Sequence, residues 1–286
     1  MTRFSKTSRQ IMLYIGLTVL AFVTLFPYIW LALSSFKTEG EIFQRPPTVL
    51  PANPVILNYG RALNLMPQAG GATPMIFSGL ANSFQVATIS TFLLLIVACV
   101  GGYAFARLRF PGRTFLLIIL LLFRMLPPIV LAVPLFVMAA STKLLDTKLL
   151  LVIVYVAFNA PLSVWLLSVF FQEVPRELED AALVDGCNKF SVLYHIYIPI
   201  ALPAIATVGI LAFLSMWNEF LFGVLLTSTE ASKTAPVALA SLISARDTRW
   251  GIMTAGGILQ TLPAIAVVIF LQRYIVKGLT FGAVKG

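Results

Sequence analysis

The chain is predicted to be an all-α polytopic membrane protein with six transmembrane helices. Three observations predict that class. Of 286 residues, 59% are hydrophobic and only 11% are charged, against about 25% charged in ordinary soluble domains. The mean hydropathy is +0.94. The apolar residues fall in six blocks, 11–33, 80–106, 114–139, 149–171, 200–226 and 252–272, each near the roughly 20 residues that cross a bilayer as a helix.

Taken in order, residues 1–10 carry Arg3, Lys6 and Arg9 and form the predicted cytoplasmic N-terminus. The 11–33 block ends at Ala32-Leu33-Ser34, which resembles a signal-peptide cleavage site. Its apolar core exceeds the usual run of about 7–15 residues, so it is read as an uncleaved first transmembrane helix. Residues 34–79 form an extracytoplasmic segment rich in Pro, Asn and Gly, irregular with short helical pieces. Ile42, Phe43, Val55, Leu57, Tyr59, Leu63 and Leu65 argue for packing there rather than disorder. Residues 80–272 form the transmembrane core. Within it, Pro127 and Pro128 should break or kink the third span, which is tolerated only where the freed backbone faces protein or a water-filled cavity. Residues 273–286 are a cytoplasmic C-terminal tail.

An even number of spans places both termini on one side. Eleven Lys and Arg lie on the proposed inside and eight on the proposed outside. The bias is clearest in the short loop holding Arg107, Arg109 and Arg113, where the positive-inside rule works best. The net charge of +9 therefore reads as topology and attraction to membrane lipid. Nucleic acid is excluded as a partner, because no basic groove with interleaved aromatics is present.

Between the fourth and fifth spans lies a polar island, residues 173–203, reading EVPRELEDAALVDGCNKFSVLYHIYIPIALP. Pro175 suits the first position of a helix, where its missing N–H costs nothing. Glu177, Glu179 and Asp180 would sit near the positive end of that helix dipole. Gly186 stands where a left-handed stop belongs. A second short helix runs from Asn188 or Lys189 to Ile198, and Pro199 and Pro203 redirect the chain into the next span. Two short helices of this kind make a docking surface.

No catalytic constellation accompanies the island. The chain has neither a G-x-x-x-x-G-K-[S/T] phosphate loop nor a G-x-G-x-x-G turn. His195 is the lone histidine and has no second His or Cys at metal-ligand spacing. Cys99 and Cys187 fall at different membrane levels and read as free thiols. No catalytic residue and no metal site is expected, and no internal repeat is apparent.

The sequence Asp180-Ala181-Ala182-x-x-Asp185-Gly186, nine residues, then Ile196-x-Ile198-Pro199 resembles the E-A-A loop of bacterial ABC importer permeases. Asp180 stands where that family has Glu, and Ile198 where it has Leu. Further segments resemble its carbohydrate-uptake branch in the MalG-type form. These are Ser35-Phe36-Lys37-Thr38 with Glu41-Ile42-Phe43, Tyr103-Ala104-Phe105-Ala106-Arg107 with Phe110-Pro111-Gly112-Arg113, and Trp217-Asn218-Glu219-Phe220-Leu221-Phe222. The end of the chain, Gln272-Arg273-Tyr274 and Gly278 to Gly286, resembles it too.

The resemblance implies the type I ABC importer permease fold in a bacterial cytoplasmic (inner) membrane. It implies a permease subunit of an ATP-driven, binding-protein-dependent importer of a sugar or sugar derivative. Partners would be a second permease in a heterodimer, two ATPase subunits and an extracytoplasmic solute-binding protein. The chain would bind no cofactor itself; ATP and Mg would be used by the partner ATPase. Residues 173–203 would be the coupling loop, with Glu179, Asp180, Ala181, Ala182, Asp185, Gly186, Ile196 and Pro199 as ATPase-coupling residues. The tail would reach toward the ATPase dimer interface.

Two charges lie inside predicted spans. Arg124 sits halfway along the third, where a charge costs roughly 2.5–3.5 kcal/mol on insertion scales. Either it is paired with Glu219 or with an acid of the second permease, the default for such charges, or it lines the path of an anionic solute. Arg124, Trp217, Asn218 and Glu219 are the candidate solute-path residues. Among the tryptophans, Trp30 and Trp250 lie near the outer interface, where Trp is enriched, whereas Trp165 and Trp217 are deeper. Two other classes compete. An ATP-independent secondary carrier or channel would call for mid-membrane charges beyond Arg124 and Glu219. A membrane enzyme would need an interfacial cluster of acids or His, and the only acid cluster is the island. Neither explains the island's spacing.

Overall fold

A computed structural model describes residues 6–66, 75–243 and 248–280. α1 (Lys6–Ser35) is followed by two short helices, α2 (Glu39–Ile42) and α3 (Leu57–Ala62). α4 (Ile76–Arg107) is the second long helix. α5 (Arg113–Met125) and α6 (Ala132–Ser141) form one bent pair, and α7 (Lys148–Glu173) is long and continuous. The island holds α8 (Arg176–Val184), α9 (Lys189–Val192), a π-helical turn Leu193–Tyr197 and α10 (Ile198–Ile200). α11 (Leu202–Trp217), α12 (Leu221–Leu226), α13 (Ala235–Ala240) and α14 (Trp250–Thr280) complete the order. No strand occurs among the described residues.

Four helices are each long and apolar enough to cross a membrane, and six spans result if each bent pair counts as one. The third predicted span is the clearest break. Leu126 leaves the helix with ψ 128°, and Pro127 and Pro128 have no N–H to continue the ladder. The chain bends by 92° between Arg113–Met125 and Pro128–Ser141. A second bend, 81°, separates Lys189–Ile200 from Leu202–Trp217.

The sequence boundaries shift in three places. The 200–226 block is helical only to Trp217, because the Asn218–Phe220 stretch interrupts it before α12. The proposed tail from residue 273 is no separate segment as far as residue 280, since α14 continues there. Helical hydrogen bonding runs within the backbone and need not stop where hydropathy falls. Residues 281–286 and 1–5 lie outside the described residues, and with them the last part of the tail and the first half of the N-terminus. Pro175 precedes α8 with ψ 135° rather than opening it.

The residues group into two compact units, Met1–Phe77 with Leu239–Thr261, and Ser78–Ala238 with Leu262–Gly286. In the first, α1 buries none of its apolar window, as a lipid-facing helix can. The stretch after it is tightly held. Lys37 is buried over the Trp30 ring at 4.9 Å and donates to the Thr48 carbonyl. Glu41 accepts from Thr48 Oγ1 at 2.9 Å and from the Ala52 N–H at 2.7 Å. Asn58 Nδ2 bridges the carbonyls of Ser35 and Lys37, both at 2.9 Å. Thr38 caps α2, and Glu39 accepts from the Gly251 N–H at 2.8 Å.

In the second unit α4 and α7 carry the core, with 39% and 44% of their apolar windows buried. Their approach is close at Gly102, where a Cβ would stand 2.9 Å from Leu167 Cβ. Small residues at such a crossing let backbones meet in the absence of a hydrophobic drive between lipid-solvated helices. One core cluster gathers Leu151, Tyr155, Phe213, Trp217 and Phe222. Another gathers Tyr103, Leu167, Phe171, Leu193 and Tyr197 under the island.

Candidate docking loop and mid-span cleft

The island is built on a polar knot. Glu179, on the inner side of α8, accepts from Tyr103 Oη at 3.1 Å and Tyr197 Oη at 2.7 Å. Arg107 Nε lies 3.8 Å from its carboxylate, the ion pair being 4% and 13% exposed at the two side chains. The same guanidinium donates to the carbonyls of Phe171, at 2.7 Å, and Val174, satisfying the end of α7 where helical carbonyls lack partners. It also stacks over the Tyr197 ring at 5.1 Å. One buried pair thus ties the end of α4, the end of α7, α8 and the π turn together.

The rest of the motif faces outward. Asp180, Ala181, Asp185, Gly186 and Pro199 are exposed, and Ala182 and Ile196 are half-buried. Gly186 has φ 87°, a left-handed stop that a side chain would strain. A Cβ there would meet nothing within 4 Å, so the position is open as well as turned. Asn188 caps α9 through Ser191 N at 2.9 Å. His195 is exposed and bonded only to Ser191 in its own helix turn, and no group of three His, Cys, Asp or Glu among the described residues is placed to hold a metal. Glu179 therefore differs from its motif neighbours: it anchors the helix and does not line its open face. The sequence reading placed Tyr103 and Arg107 in a family-like segment but gave them no part in the island, and did not single out Tyr197. The signal for the first two was available, since they stand four apart on one helix face.

The candidate solute-path residues separate. Trp217 is 1% exposed and stacks on Phe213 at 5.8 Å, so its ring is core. Glu219 is a helix-capping and bridging group: it accepts from Phe222 N at 2.9 Å, Gly223 N at 3.1 Å and Tyr155 Oη at 2.8 Å. Its carboxylate is thereby committed at the break before α12, and the Arg124–Glu219 pair is not formed. Asn218 is exposed, its Nδ2 donating to the Leu214 carbonyl at 2.9 Å. Arg124 is exposed at the end of α5 and has no ion pair among the described residues. It lines two clefts of about 190 and 60 Å³, the first with Phe158 and Pro161, the second with Asn159, Ser163 and Ser215.

A further polar site lies outside the spans. Asp146, with φ 61°, accepts from Ser228 N at 2.7 Å, Thr229 N at 3.0 Å and the Ser232 hydroxyl. Burial alone would push its carboxyl up, but these donors outweigh it and hold the group well below the usual carboxylate range. Asn82 pins the same loop through the carbonyls of Glu230 and Lys233, both at 2.9 Å.

Comparison with known proteins follows this geometry closely. The family described as "Binding-protein-dependent transport system inner membrane component" matches residues 98–281. The sulfoquinovosyl glycerol transport system permease protein SmoH of Agrobacterium fabrum is 32% identical over 96% of this chain and 93% of its own length. The trehalose/maltose transport system permease protein MalG of Thermococcus litoralis is 31% identical over 97% and 98%. A chain from the crystal structure of a bacterial ABC transporter that imports the acidic polysaccharide alginate shares the fold, with a TM-score of 0.77 at 23% identity over 96% of this chain and 99% of that one.

Proposed function

We propose that this chain, which belongs to the family of binding-protein-dependent transport system inner membrane components, is one permease subunit of an ATP-driven importer of a sugar or sugar derivative and forms half of its translocation path. Relatives named for sulfoquinovosyl glycerol and for trehalose and maltose support a sugar-derived solute. The assembly comprises a second permease, two ATPase subunits that use ATP and Mg, and an extracytoplasmic binding protein, with both termini of this chain in the cytoplasm.

One observation carries the coupling role. α8 offers a small, open surface, Asp180, Ala181, Asp185 and Gly186, on a helix whose opposite side is locked by Glu179. Small side chains admit close approach by a partner. A displacement applied to that face passes through Glu179 and Arg107 to the ends of α4 and α7, two long spans that help to build the core. ATP-driven closure of the ATPase pair would thereby reach the path without any catalytic group on this chain.

Gly186→Trp tests the reading. The bulky ring occupies the open seat, so the variant should reach the membrane yet lose the ATPase on co-purification, or keep it with transport uncoupled from hydrolysis. Transport at the wild-type rate would refute the docking assignment.

A further inference from the structure

We infer that Arg124 binds the charged group of an anionic solute, a carboxylated, sulfonated or phosphorylated sugar, in the cleft it shares with Asn159, Ser163 and Ser215. The inference rests on the import reading above and adds the solute's charge.

The first ground is what Arg124 lacks. A guanidinium within a span is costly unless it meets an anion or water. The acid nearest in kind, Glu219, has its carboxylate held by two backbone N–H groups and the Tyr155 hydroxyl. Asp146 is held by three donors of its own, and Glu179 by two tyrosines and Arg107. Among the described residues Arg124 forms no ion pair, and no acid lines either cleft beside it.

The second ground is where Arg124 sits. It closes α5 just before the Pro127–Pro128 break, and broken backbone at membrane depth is tolerated where it lines a water-filled cavity or is buried in protein. Two clefts adjoin it, with about 190 and 60 Å³ of free space, room for a charged group though less than the about 300–1,000 Å³ of a whole small-molecule site.

The third ground is the polar company. Asn159 and Ser163 stand four apart on α7, so they share one helix face. Ser215 of α11 donates to Asn159 Oδ1 at 3.2 Å, and Asn159 Nδ2 donates to the Tyr155 carbonyl at 2.9 Å. These bonds fix the Asn159 amide in place. Three helices thus bring one cation and three neutral polar groups to an otherwise apolar wall, a pattern suited to a polyhydroxylated molecule with one negative charge. The planar guanidinium fork matches carboxylate, sulfonate and phosphate oxygens.

The test uses the complete importer, expressed with its neighbouring genes, in proteoliposomes with its binding protein outside. ATP-dependent uptake is measured for glucuronate, 6-deoxy-6-sulfoglucose and glucose 6-phosphate, and for neutral glucose, maltose and trehalose. We expect uptake of at least one anionic probe, lowered about tenfold to a hundredfold by Arg124→Gln, as for loss of a hydrogen-bonded charge. Arg124→Lys should retain more of it. Asn159→Asp keeps the guanidinium but sets a carboxylate in the same cleft, and should lower anionic uptake while the purified complex keeps its subunits. Import of neutral probes alone by the wild type overturns the inference and leaves the import reading standing. So does equal anionic uptake by wild type and Arg124→Gln. Loss of the complex in Arg124→Gln with wild-type uptake by Asn159→Asp makes Arg124 a structural pair with another subunit, and also overturns it. Import of no probe at all sinks the sugar-import reading itself, and the inference with it.

Discussion

The stretch from residue 36 to 66 and the loop from 173 to 203 are both polar interruptions of an apolar chain, and they place their polar groups in opposite ways. The first buries its central ones: Lys37, Glu41 and Asn58 are 3%, 9% and 5% exposed, each spent on backbone groups or hydroxyls of residues 35–52, while Thr38, Glu39, Gln44, Arg45, Asn53 and Asn64 stay exposed. The second exposes almost all of its polar groups and holds on through a single knot at Glu179. The buried groups of the first hold its own chain together. The second keeps an open helical face, locked from behind, which is the face the proposed docking would use. The contrast explains why two family-like motifs of similar polarity have different jobs: the Ser35–Phe43 motif folds its segment, and the Asp180–Gly186 motif displays one.

The contrast can be broken most sharply at its one exception. Glu179→Ala leaves Arg107 buried without its acid, for which we expect a loss of about 3 kcal/mol. Thermal unfolding of the purified permease in detergent would read it. A midpoint equal to wild type would mean that α8 is not locked from behind. In the buried segment the effect should be smaller. Lys37→Met keeps the stem over Trp30 but leaves the Thr48 carbonyl without its donor, for about 1–2 kcal/mol. Faster limited proteolysis between residues 36 and 66 is the expected sign, and wild-type resistance would show that the lysine does not hold the segment.

The smallest effect belongs to Asp146, half-buried and so between the two extremes. Its carboxyl is depressed from 3.8. Its contribution is therefore complete above that value and is lost as pH falls through it toward the folded value. We expect wild-type stability to weaken on acidification below 3.8, and Asp146→Asn to be less stable at neutral pH by under about 1 kcal/mol, since bonds to a part-exposed group compete with water. A variant with an unchanged acid profile would make the loop around Ser228 independent of this carboxylate.

Much of this architecture was legible before any coordinates. Six apolar blocks correspond to four long apolar helices and two bent pairs, Pro127 and Pro128 gave the break in the third block, and Gly186 gave the end of the first island helix. The single-span reading of 200–226 was not, because Asn218, Glu219 and Phe220 are few and flanked by strongly apolar residues. The three bonds to the Glu219 carboxylate, together with the Asn218 cap on the Leu214 carbonyl, make a stable end to α11 and a start to α12. Glu179 and Asp180 show the same limit within two residues. Their chemistry is nearly identical, yet successive helix positions point about 100° apart, and one is anchored while its neighbour is displayed.

By itself, the sequence determined where the apolar blocks lie, where one of them is interrupted, and which loop carries the spaced motif. Those follow from hydropathy, proline and glycine, which act on the backbone at or near their own position. Tertiary structure alone decided that Glu179 faces inward, that Trp217 is core, that Glu219 caps a helix and that Arg124 is left to a cleft. Each of those depends on groups brought from elsewhere in the chain, as Tyr103 and Arg107 are brought to Glu179. The energy of a buried polar group is set by the partners it meets, and a local run of residues does not name them.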